Sequence, residues 1–477
     1  MDKNFYLTTT LPYVNADPHL GTAFEFVTAD IIARYRRLIG DNVFFNTGVD
    51  EHGQKVYTKA LERAQDPQEY VDEYAERFKT LKDTLNLSYD NFIRTTDEHH
   101  KKAAQEFWKQ SLAKGDIYKK QYKTKYCVSC ELERTDSELV DGCCPEHLGK
   151  ELETIEEENY FFKFSKYQNQ LLELYKNNPD LVVPSFRFNE IIKFVERGLE
   201  DFSISRLKSK MPWGVPVPDD DEHVMYVWFD ALVNYISAIG WPTDLEKFNK
   251  WWPVTQFAGK DQVRQQVAMW QAMLMSVELP SSKQIVIHGF ITIDGAKMSK
   301  SIGNVVDPTE LVQEYGVDAL RYYLARHINP FEDSDFTKEK FREAYNANLA
   351  NGIGNLTARI MKMAENLGER SFLEEERNEV EQRERKDLEE RFESFEISKV
   401  ADLIWERIGE LDKYIQEEKP FSVVKEDKEK GIELIKTLVN KLYRIAKDLE
   451  PILPETSEKI KNAIKENKMP EALFVRK

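Results

Sequence analysis

Residues 5–22 read FYLTTTLPYVNADPHLGT, and the order of residue types in this stretch decides the fold. The apolar run from Phe5 to Val14 predicts a β-strand, and the stretch from Ala23 to Leu38 predicts a helix. The turn between them places His19 and Gly21 at the N-terminus of that helix. Because N–H groups at a helix N-terminus and the helix dipole attract phosphate, the stretch predicts an α/β fold with a phosphate site.

A second loop carries two lysines, in the sequence Lys297-Met298-Ser299-Lys300-Ser301. It follows His288 and Gly289, and glycines flank it on both sides. Ammonium groups can follow charge that moves between phosphates, and glycines allow a loop to close over a nucleotide. An isolated Lys-x-x-Lys pair is typical of a solvated surface turn. Together with the turn at His19, however, the loop indicates a triphosphate site.

The chain has 477 residues, 41% of them hydrophobic, which is enough for cores in about three domains. No uncharged apolar run approaches the ~18 residues of a membrane span, and the N-terminus has no signal-peptide pattern. We therefore expect a multidomain cytoplasmic enzyme with no membrane partner. The net charge of −17 argues against a polyanionic partner, although a local basic patch can still bind phosphates.

All four cysteines fall between residues 127 and 144, and this clustering favours a metal site over disulfides in a cytoplasmic protein. Cys127 and Cys130 form one knuckle, and Cys144 and His147 form a second. Three thiolates and one imidazole suit a tetrahedral Zn²⁺ with no open position, which predicts a structural role for the metal. Cys143 is too close to Cys144 to share the site and is predicted to be a spare thiol. A one-residue shift in ligand choice and redox chemistry stay open as alternatives.

The strand and helix patterns divide the chain into four segments. Up to residue 115, predicted strands alternate with helices, which implies βαβ units in a parallel sheet. The cysteine-containing stretch interrupts this rhythm, which returns with predicted strands at 225–229, 256–259 and 285–288. After Pro330 the strand signals end, and helical patterns at 338–366, 373–392, 398–416, 430–449 and 454–465 predict a bundle. The predicted α/β fold therefore comprises the first half of a Rossmann-type domain with a parallel sheet (1–115), a zinc-containing insertion (116–224), the second Rossmann half with the lysine loop (225–330) and an all-α helical bundle (331–477).

Six segments follow one another along the chain: Thr10–Asn15, Pro18–Thr22, Gly48–Gly53, Tyr226–Ala231, Gly259–Asp261 and Lys297–Ser301. In this order they resemble the methionyl-tRNA synthetases, a family of class I aminoacyl-tRNA synthetases, whose HIGH and KMSKS signatures correspond to the second and the last. The resemblance covers nearly the whole chain and implies a methionine–tRNA ligase. In that reaction the methionine carboxylate attacks the α-phosphate of ATP to form methionyl-adenylate and pyrophosphate. The methionyl group then passes to the 3′ end of tRNA(Met).

The resemblance also implies roles for individual residues. His19, Lys297 and Lys300 would be catalytic by stabilising charge on the phosphates of ATP, which brings its own Mg²⁺. The implied ATP site comprises His19, Gly21, Thr22, His288, Gly289, Lys297, Met298, Ser299 and Lys300. The carboxylate of Asp50 would pair with the methionine ammonium group. The implied methionine pocket comprises Leu11, Tyr13, Asp50, Trp228, Ala231, Tyr235, Gln262 and Gln266.

In the helical bundle the resemblance implies that the anticodon is bound by Asn355, Arg359 and Phe421. Asn355 and Arg359 lie four residues apart and share one helix face, while Phe421 offers a stacking surface. Since the chain ends at Lys477 without the C-terminal tRNA-binding domain that often carries the dimer contact, we expect a monomer.

Three departures from the family pattern affect the interpretation. Thr22 stands where the HIGH signature has its second histidine, Gln262 and Gln266 stand where an apolar residue and a histidine are usual, and Leu232 stands where proline is usual. We expect the glutamines to bond one another or the pocket aromatics, which would leave methionine as the preferred substrate. A cysteine or leucine synthetase of the same subgroup, or a synthetase-like RNA-binding protein with weakened catalysis, stays open as an alternative.

Overall fold

The structure is a computed structural model, and it describes residues 3–134, 139–145, 149–150, 152–298, 303–368 and 379–477. The β-strands, in chain order, are β1 (Asn4–Thr8), β2 (Asn42–Val49), β3 (Asn91–Arg94), β4 (Ile117–Cys127), β5 (Leu132–Arg134), β6 (Glu153–Phe162), β7 (Val182–Val183), β8 (Phe202–Ser203), β9 (Ser205–Leu207), β10 (His223–Met225), β11 (Thr255–Gly259), β12 (Gln284–His288), β13 (Ile291–Ile293), β14 (Ala296–Lys297) and β15 (Ser334–Phe336). The α-helices are α1 (Leu20–Leu38), α2 (Gln54–Glu62), α3 (Pro67–Lys79), α4 (Leu81–Thr84), α5 (Glu98–Ala113), α6 (Gln168–Asn177), α7 (Ser185–Glu196), α8 (Val227–Ala231), α9 (Asn234–Ser237), α10 (Leu245–Trp251), α11 (Trp270–Ser276), α12 (Pro308–Tyr315), α13 (Val317–Arg326), α14 (Lys338–Ala344), α15 (Asn355–Leu367), α16 (Glu379–Glu393), α17 (Ile397–Glu418), α18 (Pro420–Glu426), α19 (Lys428–Leu449) and α20 (Pro454–Glu466). Among these described residues, no helix combines the length and apolar character needed to cross a bilayer.

The chain forms two compact units, and the first comprises the described residues of Met1–Pro18, Asn42–Lys82 and Tyr89–His288. Its centre is a six-stranded parallel sheet in the order β3-β2-β1-β11-β12-β7. Four of the five residues of β1 are buried, as expected for a strand covered on both faces. The two halves of the sheet meet between β1 and β11, and this is the point at which parallel α/β sheets bind ligands beyond their carboxyl ends.

An antiparallel sheet in the order β5-β4-β6-β8 interrupts the parallel one in sequence, as the cysteine-rich insertion predicts. Two details of the first unit differ from the sequence-based expectation. Strand β7 lies within the predicted insertion but pairs with β12 in the parallel sheet. The predicted strand at 225–229 is wrong, because β10 ends at Met225 and residues 227–231 form helix α8. Every residue of α8 is buried, and a short apolar run without periodicity does not distinguish a strand from a buried helix.

The second unit comprises His19–Asp41, Asp83–Ser88 and the described residues of Gly289–Lys477. It contains a three-stranded sheet in the order β14-β13-β15 and the helices of the predicted bundle. Strand β15 corrects the expectation that strands end at Pro330, since it pairs in parallel with β13. The predicted helix at 338–366 is also interrupted, by a π-helical turn at Tyr345–Gly354. The part of the predicted helix at 373–392 that precedes residue 379 lies outside the described residues.

Helix α1, which begins at the HIGH-like turn, is anchored inside this second unit by a buried ion pair. Asp30 and Arg321 are both fully buried, and their carboxylate and guanidinium groups lie 2.8 Å apart. Arg321 also donates to the carbonyl oxygens of Leu85 (3.0 Å), Pro451 (3.0 Å) and Ile452 (2.8 Å). A buried charge is tolerated only when it is paired and hydrogen-bonded, and this set satisfies both requirements. The anchor joins α1 to α13 and to the loop before α20.

Candidate active site

The HIGH-like turn forms the N-terminal cap of α1. His19 has extended backbone angles, and its Nδ1 accepts a hydrogen bond of 3.0 Å from the N–H group of Gly21. Since Nδ1 is the acceptor, a neutral imidazole carries its proton on Nε2, which can donate to a phosphate oxygen. Thr22 is partly exposed in the same first turn. Backbone N–H groups and one imidazole N–H thus share this helix end, where a phosphate site stays a prediction.

Met298, which belongs to the described part of the lysine loop, lies against the same turn within the second unit. A Cβ atom added to Gly21 would lie 2.9 Å from His19 Cε1 and 3.4 Å from Met298 Cε, so a larger residue would displace either neighbour. The N–H group of Leu20 donates to the carbonyl of Val306 over 3.0 Å, which ties the chain after the loop to the start of α1. Met298 and Val306, one on either side of the undescribed residues 299–302, are therefore neighbours of the HIGH-like turn.

The structure describes only some of the other residues of the predicted ATP site. Lys297 ends strand β14, while Ser299 and Lys300 lie outside the described residues. His288 is buried at the carboxyl end of β12 in the first unit. Gly289 begins the third segment of the second unit.

In the first unit, Asp50 lies just beyond the carboxyl end of β2. Its backbone pairs with the chain after β1, through the N–H of Asp50 to the carbonyl of Pro12 (2.9 Å) and the N–H of Val14 to the carbonyl of Asp50 (3.2 Å). The side chain of Asp50 is 3% exposed, and the hydrogen bond recorded for its carboxylate is a long one of 3.4 Å from the N–H of His52. Burial, together with the negative charges of Asp230 and Glu131, raises the pKa of Asp50 well above its ordinary value. A cationic ligand would offset the burial and the neighbouring negative charges that disfavour the charged form of Asp50.

Two aromatic residues of the predicted pocket meet beside Asp50. The rings of Tyr13 and Trp228 pack edge to face with centroids 6.3 Å apart, and Tyr13 forms an isolated β-bridge with Asp50. The hydroxyl of Tyr13 and the indole N–H of Trp228 are both buried and have no hydrogen-bond partner among the described residues. Unpaired polar groups of this kind are uncommon in native interiors and mark a position for a ligand or water.

The remaining predicted pocket residues divide into two groups. Ala231 is buried at the end of α8, and Leu11 is partly exposed in the chain after β1. Tyr235 is 1% exposed and packs against Trp270, with ring centroids 5.8 Å apart. Among the described residues, no ring contact joins Tyr235 to Tyr13 or Trp228, so the assignment of Tyr235 to the pocket stays a prediction.

The two unusual glutamines bond to each other, as predicted. Nε2 of Gln266 donates to Oε1 of Gln262 over 3.3 Å, and Oε1 of Gln266 accepts from Nε2 of Gln256 over 2.9 Å. Gln266 lies in a π-helical turn at Arg264–Met269, a distortion that is frequent at functional sites. The third partner, Gln256 in β11, was not anticipated. The hydrogen bond from Gln256 depends on how β11 packs in the sheet, and no local pattern in the sequence indicates that packing.

A buried histidine–aspartate–histidine chain supports the Asp50 loop, and sequence reasoning missed it. Oδ2 of Asp230 lies 2.7 Å from Nδ1 of His52, and Oδ1 lies 2.9 Å from Nε2 of His100. Nδ1 of His100 lies 3.0 Å from the hydroxyl of Ser237. Burial alone would raise the pKa of Asp230, but its two histidine partners hold it below the ordinary value. The sequence did offer a clue to this chain, because His52 and Asp230 both lie in segments that resemble the family.

Three of the four predicted metal ligands come together at the end of β4. The Sγ atoms of Cys127, Cys130 and Cys144 all lie within 4.8 Å of one another, and those of Cys130 and Cys144 are 3.7 Å apart. Zn–S bonds of about 2.3 Å in a tetrahedron place sulfurs about 3.8 Å apart, so the cluster fits Zn²⁺. Cys143 is outside the cluster, and its backbone pairs with Val140 in a tight turn. His147 lies outside the described residues.

The predicted anticodon residues lie on helices of the second unit. Asn355 is exposed at the start of α15, and Arg359 follows one turn later and forms an ion pair with Asp412 of α17. Phe421, in the first turn of α18, is 49% exposed. An exposed phenylalanine can stack on a base, whereas the guanidinium of Arg359 would have to exchange an existing partner for a nucleotide.

Comparisons with known proteins agree with this geometry. Residues 5–155 and 147–361 match the family described as tRNA synthetases class I (M), and residues 367–473 match the anticodon binding domain of methionyl tRNA ligase. The methionine–tRNA ligase of Thermotoga maritima is 44% identical over 475 residues, covering 96% of this chain and 74% of the relative. That of a Nostoc species is 40% identical, covering 96% of this chain and 89% of the relative.

Solved structures agree with the sequence relatives. The Mycobacterium tuberculosis methionyl-tRNA synthetase in complex with methionyl-adenylate superimposes with a TM-score of 0.91 at 36% identity, covering 96% of this chain and 93% of that one. Its apo form gives a TM-score of 0.84 at 33% identity, covering 100% and 99%. With the family models matching most of the chain and relatives above 40% identity over nearly all of it, this chain belongs to the methionyl-tRNA synthetase family of class I aminoacyl-tRNA synthetases.

Proposed function

We propose that this protein activates L-methionine with ATP and transfers the methionyl group to the 3′ end of tRNA(Met). The observation that carries the proposal is the environment of Asp50. Its carboxylate is buried and has a raised pKa, and it lies beside the Tyr13–Trp228 pair. A methionine would supply an ammonium group for the carboxylate and a thioether for the aromatic rings.

The chemical step needs positioning and charge stabilisation rather than a covalent protein nucleophile. The methionine carboxylate attacks the α-phosphorus, and the bond to the pyrophosphate oxygen breaks. In the proposal, Nε2 of His19 and the N–H groups at the start of α1 stabilise the α-phosphate, and Lys297 and Lys300 stabilise the departing pyrophosphate. Mg²⁺ would arrive with ATP and neutralise phosphate charge. The hydrogen bond between His19 and Gly21 supports this role, because it orients the imidazole.

For the metal, we propose one structural Zn²⁺ held by Cys127, Cys130 and Cys144, with His147 as the fourth ligand. The spacing of the three thiols supports zinc, and a fully protein-ligated ion would order the insertion without taking part in the reaction. For tRNA, we propose that the anticodon contacts the face of α15 that carries Asn355 and Arg359, with Phe421 stacking on a base. A monomeric state and a cytoplasmic location complete the proposal. Sedimentation of the purified chain tests the oligomeric state.

The decisive experiment is ATP–pyrophosphate exchange measured with each of the twenty amino acids. We expect exchange to be fastest with methionine, followed by charging of tRNA(Met). Faster exchange with cysteine or leucine would transfer the assignment to another synthetase of the subgroup. Absence of exchange with every amino acid, while tRNA still binds, would indicate an RNA-binding protein instead.

A further inference from the structure

Glu131 directly follows the proposed zinc ligand Cys130, and its backbone is unusual. Its φ angle is +51°, a left-handed conformation that non-glycine residues other than Asn and Asp rarely adopt. The residue is 1% exposed, although it lies in the turn between β4 and β5. Such a conformation persists only where surrounding contacts impose it. The contacts of Glu131 therefore indicate what the conformation achieves.

The carboxylate of Glu131 caps a helix that lies far away in sequence. Helix α2 begins at Gln54, and its N-cap residue is Gly53, which has no side chain to satisfy the first N–H groups. Oε1 of Glu131 accepts from the N–H group of Lys55 over 2.8 Å. A Cβ atom on Gly53 would lie 2.5 Å from Oε2 of Glu131, so only glycine admits the carboxylate here. A negative charge at a helix N-terminus is favourable, and this one comes from the cysteine-rich insertion.

The same residue also reaches the other side of the pocket. Its backbone carbonyl accepts a hydrogen bond from the hydroxyl of Tyr226, the residue immediately before α8 and Trp228. Helix α2 in turn presents Lys55, whose Nζ lies 5.1 Å from the ring centroid of Tyr13. Glu131 thus contacts the segment that follows Asp50 and the residue that leads into the helix of Trp228, and it is linked to Tyr13 through Lys55.

We propose that Glu131 is a positioning residue that transmits the order of the metal centre to the methionine pocket. The inference rests on the proposed function, and Glu131 itself does not contact substrate. The three cysteines hold the turn, the turn holds Glu131, and its carboxylate and carbonyl hold Gly53–Lys55 and Tyr226. Losing these contacts weakens methionine binding, whereas the turn of α1 keeps its own hydrogen bond between His19 and Gly21.

The test compares Glu131→Ala and Glu131→Gln with the wild-type chain, using Glu156→Gln as a matched control. Glu156 is an exposed glutamate on β6 of the same antiparallel sheet, paired with Lys123. Three quantities are measured: zinc per chain by elemental analysis, methionine Kd by calorimetry without ATP, and the KM values for methionine and ATP in pyrophosphate exchange. We expect Glu131→Ala to raise the methionine Kd and KM about five- to tenfold, as for the loss of one helix cap. The ATP KM and the zinc content should stay within twofold of wild type.

Glu131→Gln keeps an oxygen acceptor for the N–H of Lys55, so it should give a smaller increase than the alanine variant. An unchanged methionine Kd in a folded alanine variant would overturn the inference, as would equal increases in the KM values for methionine and ATP. Loss of zinc from both variants would also overturn it, because Glu131 would then serve the metal centre alone. All of these outcomes compare a variant with the wild-type chain. Failure of the proposed function is distinguishable from them, because the wild-type chain itself would then show no exchange with methionine.

A chelator arm tests the direction of the coupling. Removing zinc from the wild-type chain should raise the methionine Kd by about the factor seen for Glu131→Ala. The same treatment of Glu131→Ala should add less than a further twofold, because the two perturbations break one connection. Independent, multiplicative effects would show that the metal reaches the pocket by another route.

Discussion

Substitution of Asp50 by asparagine should weaken methionine binding and at the same time make the folded protein more stable. The side chain keeps its size but loses the charge that would pair with the methionine ammonium group. A hydrogen bond to a charged group contributes about 1.5 to 3 kcal/mol, so the methionine KM should rise by about tenfold to about 150-fold. The ATP KM should change little, since the lost charge would pair with the methionine ammonium group and not with a phosphate.

The same substitution should stabilise the protein in the absence of methionine. The pKa of Asp50 is raised in the folded state, so its charged form lowers folding stability at neutral pH. A change of about 1 kcal/mol in folding stability moves the unfolding midpoint of a domain of this size class by about 2–4 °C. Asparagine removes that penalty and also the repulsion from Asp230 and Glu131. We therefore expect a higher midpoint for Asp50→Asn than for wild type.

The assay combines pyrophosphate exchange at varied methionine with thermal unfolding, each with and without methionine. Wild type should gain midpoint temperature on adding methionine, and Asp50→Asn should start higher and gain little. Asp221→Asn, which alters an exposed aspartate of the same unit, is the control and should behave as wild type. A methionine KM within twofold of wild type would refute the assignment of Asp50 to the ammonium. A midpoint several degrees below wild type would refute the electrostatic argument.

Three further predictions follow from the described geometry. The methionine KM should rise as pH falls through the raised pKa of Asp50, because the ammonium binds the deprotonated carboxylate; exchange assays over a descending series of pH values should show this in wild type and a flat profile in Asp50→Asn. Elemental analysis should find about one zinc per chain in Cys143→Ser and a loss of zinc in Cys144→Ser, since the Cys144 thiol alone of that pair lies in the cluster; zinc loss from Cys143→Ser would shift the ligand assignment by one residue. Arg359→Ala should weaken tRNA charging at limiting tRNA by about 1 to 3 kcal/mol and leave methionine activation intact, and an equal loss in both half-reactions would make the Arg359–Asp412 pair a purely structural contact.

Features that depend on neighbours in sequence were predictable without the structure. The strand, turn and helix around His19 follow from an apolar run, a glycine and a helical period, although β1 (Asn4–Thr8) ends well before the predicted Val14 and α1 begins at Leu20 rather than Ala23. The cysteine knuckle follows from ligand spacing, and the helical bundle from periodicity after Pro330. The predicted strand at 225–229 was wrong. The helix there is buried on every face, so its apolar residues show no helical period in the sequence.

Pairings between distant segments were decided only by the tertiary structure. The bond between Glu131 and Lys55, the contacts of Asp230 with His52 and His100, and the link from Gln256 to Gln266 join residues that no local pattern associates. The sequence determines which donors and acceptors exist and which of them occur near turns and strand ends. Whether a given donor and acceptor form a hydrogen bond depends on the order of the strands in the sheet. It also depends on which buried polar groups still need a partner. For this protein the sequence alone located the thiol cluster and predicted a phosphate site at His19 and a ligand role for Asp50, whereas folding decided the partners that hold Asp50 in place.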